Sequence, residues 1–297
     1  MWLTMTLLTF LCWGIADLFY KLGNKNEEKY NHLKTGIVVG IVMGIHAIIY
    51  LIIKKVNINI MDIIKYLPVS LCYISSMIIG YRGLRYLELS ICSPIQNTSG
   101  VITSILLIIF FKENYDLPIY CAFLIIFIGI LLLSTNERSK ENKIEINIRK
   151  KNKLILVTLI FPICYCILDG LGTFLDAIYL DKMEIINEDA ALISYEFTFL
   201  IYAFVSIIYL KLKKEKIFIF NKDKSKLIAA IFETAGQFFY VYAMSGNSTI
   251  SSSIIGSYCV LSFVLSHIFL KEKLEKKEYI SLILVIIGII ILSIYDI

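Results

Sequence analysis

Ten apolar runs separated by short polar segments dominate the chain: 2–20, 35–53, 66–83, 89–111, 117–134, 154–176, 190–210, 226–244, 250–270 and 279–295. A hydrocarbon core about 30 Å thick takes about 20 residues of helix to cross. Lipid cannot satisfy backbone N–H and C=O groups, so only helices and closed barrels span it, and barrel strands alternate where these runs are continuous. The pattern predicts an all-α integral membrane protein with ten transmembrane helices, multi-pass in the plasma (inner) membrane. The first run has no basic leader, carries Asp17 and is followed by similar runs, so it reads as a mature helix and not as a signal peptide.

Composition agrees. Hydrophobic residues make up 58% of the 297 and charged residues only 18%, against about 25% charged in soluble domains. The net charge of +5 calls for no nucleic acid, because Lys and Arg cluster between the runs, where they meet cytosol and anionic headgroups. Of the 29 Lys and Arg residues, 24 lie in or at the edge of the connections after the first, third, fifth, seventh and ninth runs, with Arg82 and Lys226 counted at the run ends. The positive-inside rule then places both termini outside the cytosol. All seven cysteines lie within apolar runs without a CxxC pair, and His32, His46 and His267 are scattered, so no disulfide framework and no metal site is expected. No phosphate-binding Gly-x-x-x-x-Gly-Lys-Ser/Thr loop is present, and no cofactor is expected.

The chain also repeats itself. At an offset of 159 residues, Phe110-Phe111-Lys112-Glu113 falls on Phe269-Leu270-Lys271-Glu272, Tyr120 on Tyr279, and Ile128-Gly129-Ile130 on Ile287-Gly288-Ile289. A Lys-Glu pair, a Tyr and a Gly at one gapless offset indicate duplication. A fainter echo at 152 residues aligns Cys12 with Cys164, Trp13 with Tyr165 and Asp17 with Asp169. The expected organisation is a five-helix repeat over 1–135, a polar linker over 136–153 and a second five-helix repeat over 154–297. Five is odd, so the second half enters the bilayer in the opposite sense and the two are inverted repeats.

These features resemble the EamA-type transporters of the drug/metabolite transporter superfamily. The resemblance spans essentially the whole chain. It rests on the two five-helix halves, on Trp13-Gly14 followed by Lys21, and on the acidic corners Phe111-Lys112-Glu113 and Leu270-Lys271-Glu272, each before a Gly-centred fifth helix. Lys112 and Lys271 depart from the Gly more usual before that Glu. The resemblance implies a ten-helix carrier of small organic molecules, often an exporter of amino acids or related metabolites; the inverted repeats suit alternating access, and a monomer or homodimer is expected. It also implies cytosolic termini, opposite to the charge count.

Ionisable groups within apolar runs are costly, about 2.5–3.5 kcal/mol each at a helix centre, and mark either pairing between helices or a solute or proton site. Asp169 and Glu196 lie at similar depths in antiparallel neighbours and could share a cavity and exchange a proton. Asp169 opens Asp169-Gly170-Leu171-Gly172, suited to a bent helix. Glu233, Gln237 and Tyr240 form a polar stripe. Asp17 either joins the site or pairs with Lys21 four residues on, and Trp13, one turn earlier, either stacks on a solute or packs. Gln96 and Asn97 follow Pro94 and either repair the helix or bind solute. Gly36, Gly40 and Gly44 form a packing stripe, within the chain or between two copies. The candidate solute or proton site is thus Trp13, Asp17, Gln96, Asp169, Glu196, Glu233 and Gln237.

A secondary carrier for a small-molecule solute such as an amino acid, metabolite or drug-like compound is the leading reading, with proton coupling as an expectation. A non-transporting membrane subunit or scaffold is the alternative. An intramembrane enzyme fits less well, since Asp169 precedes its glycines where intramembrane aspartyl proteases place Gly-x-Gly before the acid, and neither HExxH nor Gly-x-Ser-x-Gly occurs.

Overall fold

A helix satisfies its own backbone, so each apolar run winds into one. The computed structural model describes residues 1–24, 29–87, 89–141, 159–217, 220–271 and 276–295, and every regular element among them is helical. In chain order these are α1 (Trp2–Asn24), α2 (Asn31–Lys54), α3 (Ile60–Gly83), α4 (Leu89–Phe111), α5 (Leu117–Glu141), α6 (Ile160–Ala177), α7 (Glu188–Leu212), α8 (Phe220–Gly256), α9 (Cys259–Leu270) and α10 (Lys276–Tyr295). A π-helical turn, Ile178–Lys182, continues α6. Polar residues set several starts. Asn59 and Asp62 form a capping box on α3, and the Asn187 side chain accepts from the Ala190 amide at the start of α7.

Among the described residues, seven stretches are long and apolar enough to cross a membrane, against the ten expected from sequence. The difference lies in segmentation. Asp223–Leu270 is one stretch of 48 residues covering the runs 226–244 and 250–270, while 117–134 and 279–295 are represented by the shorter apolar helices Leu117–Leu132 and Tyr279–Tyr295. Forty-eight helical residues would extend about 72 Å, more than twice the hydrocarbon core, and α8 is broken at Asn247 (φ −163°, ψ 89°). The Asn247 side chain accepts from the Ile250 amide at 3.1 Å and so restarts the helix. The expected linker over 136–153 begins inside α5, and its residues 142–153 lie outside the described residues, as does Glu272 of the second acidic corner.

The surface is apolar, and the interior combines an apolar core with many polar residues. Ile45, Ile49 and Ile53 on α2 and Ile201, Phe204, Val205 and Ile208 on α7 face outward, whereas Thr6, Ser93, Gln96, Glu196 and Glu233 are buried. This reverses a water-soluble fold and suits a lipid surround.

Contacts run mainly between the halves: α1 packs on α8, α3 on α6, α2 on α7, α5 on α10, and α4 on both α6 and α8. The glycine stripe of α2 serves the contact with α7 within the chain. A Cβ at Gly40 would lie 2.2 Å from the Phe199 carbonyl oxygen, and Gly36 and Gly44 abut Tyr202 and Leu200. The α5–α10 contact is reciprocal. A Cβ on Gly129 would meet Val285 at 2.6 Å and the Ser281 carbonyl at 3.1 Å, while one on Gly288 would meet Ile126 at 2.5 Å and the Ala122 carbonyl at 3.1 Å. Each of these residues maps onto its counterpart at the 159-residue offset.

Candidate functional site

Successive helices alternate in direction, so the bundle has two ends. One holds the start of α1 and the end of α6, and is called here the N-terminal face; the other holds the end of α5 and the start of α6, the linker face. Between the halves lies a cavity of about 830 Å³, its mouth included, lined by residues of α1, α3, α4, α6, α7 and α8 and by Tyr258.

Three carboxylates from three helices reach it: Asp17 on α1, Asp169 on α6 and Glu233 on α8. Helix α4 serves two of them. Ser93 Oγ donates to Asp17 Oδ2 at 2.6 Å and Ser99 Oγ donates to Asp169 Oδ2 at 2.7 Å. Lys21 sends its ammonium to the carbonyl oxygens of Leu84 (3.0 Å) and Leu87 (2.5 Å) at the end of α3, while its charge still acts on Asp17 four residues earlier, which lines the cavity. The two amides after Pro94 divide their roles. Asn97 Nδ2 folds back on the Ser93 carbonyl at 2.8 Å. Gln96 Nε2, like Gln237 Nε2, is buried at the cavity wall with no hydrogen-bond partner among the described residues.

Aromatic rings make up much of the remaining wall. Trp13 packs against Tyr240 (centroids 5.0 Å apart) and edge-on to Tyr258 (6.1 Å), and its Nε1 donates to the Glu233 carbonyl at 3.4 Å. It can lie so close to α8 because position 236 is Gly: a Cβ there would sit 2.4 Å from the indole. Tyr20 and Tyr81 pack at 4.7 Å, and Tyr73, Tyr165 and Tyr195 complete the wall. On the wall the Tyr73 and Tyr240 hydroxyls meet at 2.6 Å. Among the described lining residues there is no Lys, Arg or His.

The cavity therefore brings together Trp13, Asp17, Gln96, Asp169, Glu233 and Gln237 of the seven residues singled out from sequence. Glu196 lies elsewhere. It is fully buried between α7 and α2, its two oxygens 2.7 and 2.9 Å from His46 Nδ1, so the expected cavity shared by Asp169 and Glu196 is not formed. Sequence reasoning missed the α3 wall (Tyr73, Met77, Tyr81), the two serines of α4, and Asp176. The Trp13–Tyr165 echo was the signal available for the aromatic lining.

The acidic corner after α4 has a separate place. At the N-terminal face Lys182 Nζ lies 2.5 Å from Glu113 Oε1 and 2.7 Å from Asp181 Oδ2. Asp181 accepts from the Ser248 amide at 3.0 Å and its hydroxyl at 2.5 Å, and Glu113 accepts from Thr249 Oγ1 at 2.8 Å. This network ties the ends of α4 and α6 to the break in α8.

Fold and site together define a multi-pass helical membrane protein that encloses a polar, aromatic-walled cavity between its two halves. The model of the EamA-like transporter family matches residues 1–135 and 156–294, and the chain belongs to that family, whose members are membrane transporters of small solutes. The chain is also similar to an uncharacterised protein of Methanocaldococcus jannaschii, 35% identical over 132 residues, which are 43% of this chain and 92% of that protein. A crystal structure of another protein superimposes with a TM-score of 0.68, covering 97% of this chain and 94% of that one. At 9% identity the likeness is one of fold alone.

Proposed function

We propose that the protein is a secondary carrier working by alternating access between inverted repeats, and that its solute is a small organic cation. The observation that carries this reading is the cavity wall: three carboxylates, two unpartnered amides, a ring of Tyr and Trp, and no basic side chain among the described lining residues. Carboxylates in a low-dielectric site are costly unless a positive charge joins them. Aromatic faces add about 0.5–2 kcal/mol per cation–π contact. An anion would find nothing to balance it.

Inversion is supported by the reciprocal contacts of α5 and α10. Gly129 meets Val285 while Gly288 meets Ile126, and Gly129 meets Ser281 while Gly288 meets Ala122. Such exchange of partners at one offset is what a twofold axis across two antiparallel helices produces. Ten crossings arise if α8 crosses once before Asn247 and its remainder crosses back together with α9.

Export is the direction the geometry favours. The cavity is lined by the linker-face halves of α1 (Trp13 to Tyr20) and α3 (Tyr73 to Gly83), while the N-terminal face is tied shut by Glu113, Lys182 and Asp181. The linker face borders the 24 Lys and Arg residues that the positive-inside rule assigns to the cytosol. A solute would then load from the cytosol of a cell whose plasma membrane holds the carrier.

Trp13 supplies a reporter. With Trp2→Phe it becomes the single tryptophan, and choline, leucine and glutamate serve as cationic, zwitterionic and anionic probes. Saturable quenching by choline, weakened at least tenfold in Glu233→Gln, is the expected result. Quenching by glutamate alone would contradict a cation site.

A further inference from the structure

Asp176 plays no part in the cavity, yet it is fully buried on α6, seven residues and about 10.5 Å beyond Asp169 toward the N-terminal face. We propose that Asp176 is a proton-binding site beneath the cavity floor, separate from the carboxylates that meet solute, and that it couples solute export to proton entry. The proposal rests on the carrier reading above.

Three observations bear on it. First, hydroxyls and no cation face the carboxyl. The Tyr66 hydroxyl of α3, itself fully buried, donates to Oδ1 at 2.5 Å, the Tyr240 hydroxyl of α8 also stands against the carboxyl, and Oδ2 is buried without a well-formed hydrogen bond among the described residues. Second, the groups facing it are Tyr66 and Tyr73 from α3, Asp169 from its own helix, Tyr179 from the π turn against Tyr66, Tyr195 from α7 and Tyr240 from α8. These are phenols and one acid, with no cation among them. A buried carboxylate without a counter-charge is untenable, and a proton on Oδ2 removes the charge.

Third, hydroxyls connect it to the cavity. Tyr73 donates to Thr173 Oγ1 at 3.1 Å and meets the Tyr240 hydroxyl at 2.6 Å, and all three residues line the cavity. Thr173 stands one turn from Asp169 and one turn from Asp176 on the same helix. Opening of the N-terminal face requires α3 and α6 to part, which breaks the Tyr66–Asp176 bond and admits water. There the carboxylate takes a proton from that face. When the face closes, the proton leaves along the hydroxyls to the cavity, so one proton enters as solute exits. A sodium ion fits the place poorly, because hard cations gather about six oxygen ligands and here one of the two carboxylate oxygens is already engaged by the Tyr66 hydroxyl hydrogen.

The test uses the full chain in proteoliposomes, as wild type, Asp176→Asn and Tyr66→Phe, with Asp169→Asn beside them. Choline is the probe, followed as counterflow without a gradient and as accumulation under an imposed pH gradient. In parallel, an infrared pH titration follows the carbonyl stretch of protonated buried carboxyl groups. We expect Asp176→Asn to keep counterflow within about twofold of wild type, to lose gradient-driven accumulation, and to lack one titrating carboxyl band that Asp169→Asn retains. Tyr66→Phe should keep the band and shift its titration. Unaltered gradient-driven accumulation in Asp176→Asn, drive by sodium in place of protons, or a carboxyl spectrum that Asp176→Asn leaves unchanged would each overturn the proposal. Absence of choline counterflow in the wild type would count against the cation-carrier reading instead, and the infrared band would still decide Asp176.

Discussion

Asp17 and Asp169, which align in sequence at an offset of 152 residues, both take a serine hydroxyl from the same helix, α4. Each serine holds one oxygen of its carboxylate, and Ser262 and Tyr165 stand against Asp17 and Asp169 as further hydroxyl partners. Ser99→Ala should leave Asp169 less well placed, lowering thermal stability by about 1–3 kcal/mol and weakening choline binding. Thermal unfolding in detergent and Trp13 quenching measure the two effects. Glu196 makes the contrasting case. Depth along a helix follows from 1.5 Å per residue and put Glu196 level with Asp169, but successive side chains turn 100° about the axis. Tyr195 therefore faces the cavity and Glu196 faces α2, where His46 receives it. Glu196→Gln is expected to preserve choline counterflow and to lower stability by about 1–3 kcal/mol through the loss of a charged hydrogen bond. Residue identity was legible in the sequence for the acids and amides because lipid tolerates so few of them. The tyrosines were not, since an aromatic in an apolar run looks the same whether it packs or lines a cavity.

Helix α4 crosses α8 at unusually close range. A Cβ at Gly100 would stand 2.3 Å from the Ser252 carbonyl oxygen and 2.9 Å from the Gly256 Cα, and both helices contribute cavity residues at that level. Gly100→Val should force them apart, costing about 1–3 kcal/mol or more and reducing choline binding together with thermal stability. The break at Asn247 carries a second expectation. Asn247→Ala removes the side-chain acceptor for Ile250 and should cost about 1 kcal/mol, read as a lowered Tm. Most elements could be anticipated from the apolar runs alone. Their ends could not: α3 starts at Ile60, six residues ahead of the apolar run at 66, because its first turns are amphipathic and capped by Asn59. The merging of two runs into α8 was equally hidden, as a helix interrupted by one residue has the hydropathy of two helices with a tight turn.

For the whole molecule, the Lys-Glu pair and the matched glycines at one offset announced two related halves, and Gly129 and Gly288 now face each other's neighbours across the α5–α10 contact. Duplication was legible because it leaves identical residues in register. Which helices pair across the halves was not, because every lipid-facing run looks alike. With the N-terminal face held by Lys182 between Glu113 and Asp181, Lys182→Ala leaves two carboxylates adjacent and unpaired. That face should open more readily, and a cysteine placed at Tyr240 should react at least tenfold faster with an impermeant thiol reagent from that side. The central claim, a carrier for organic cations, is tested most directly by counterflow: proteoliposomes preloaded with unlabelled choline and given a trace of labelled choline outside. The account predicts a transient, saturable accumulation of label that glutamate preloading does not produce and Asp169→Asn abolishes. Equal accumulation with glutamate inside, or none with choline, would contradict it.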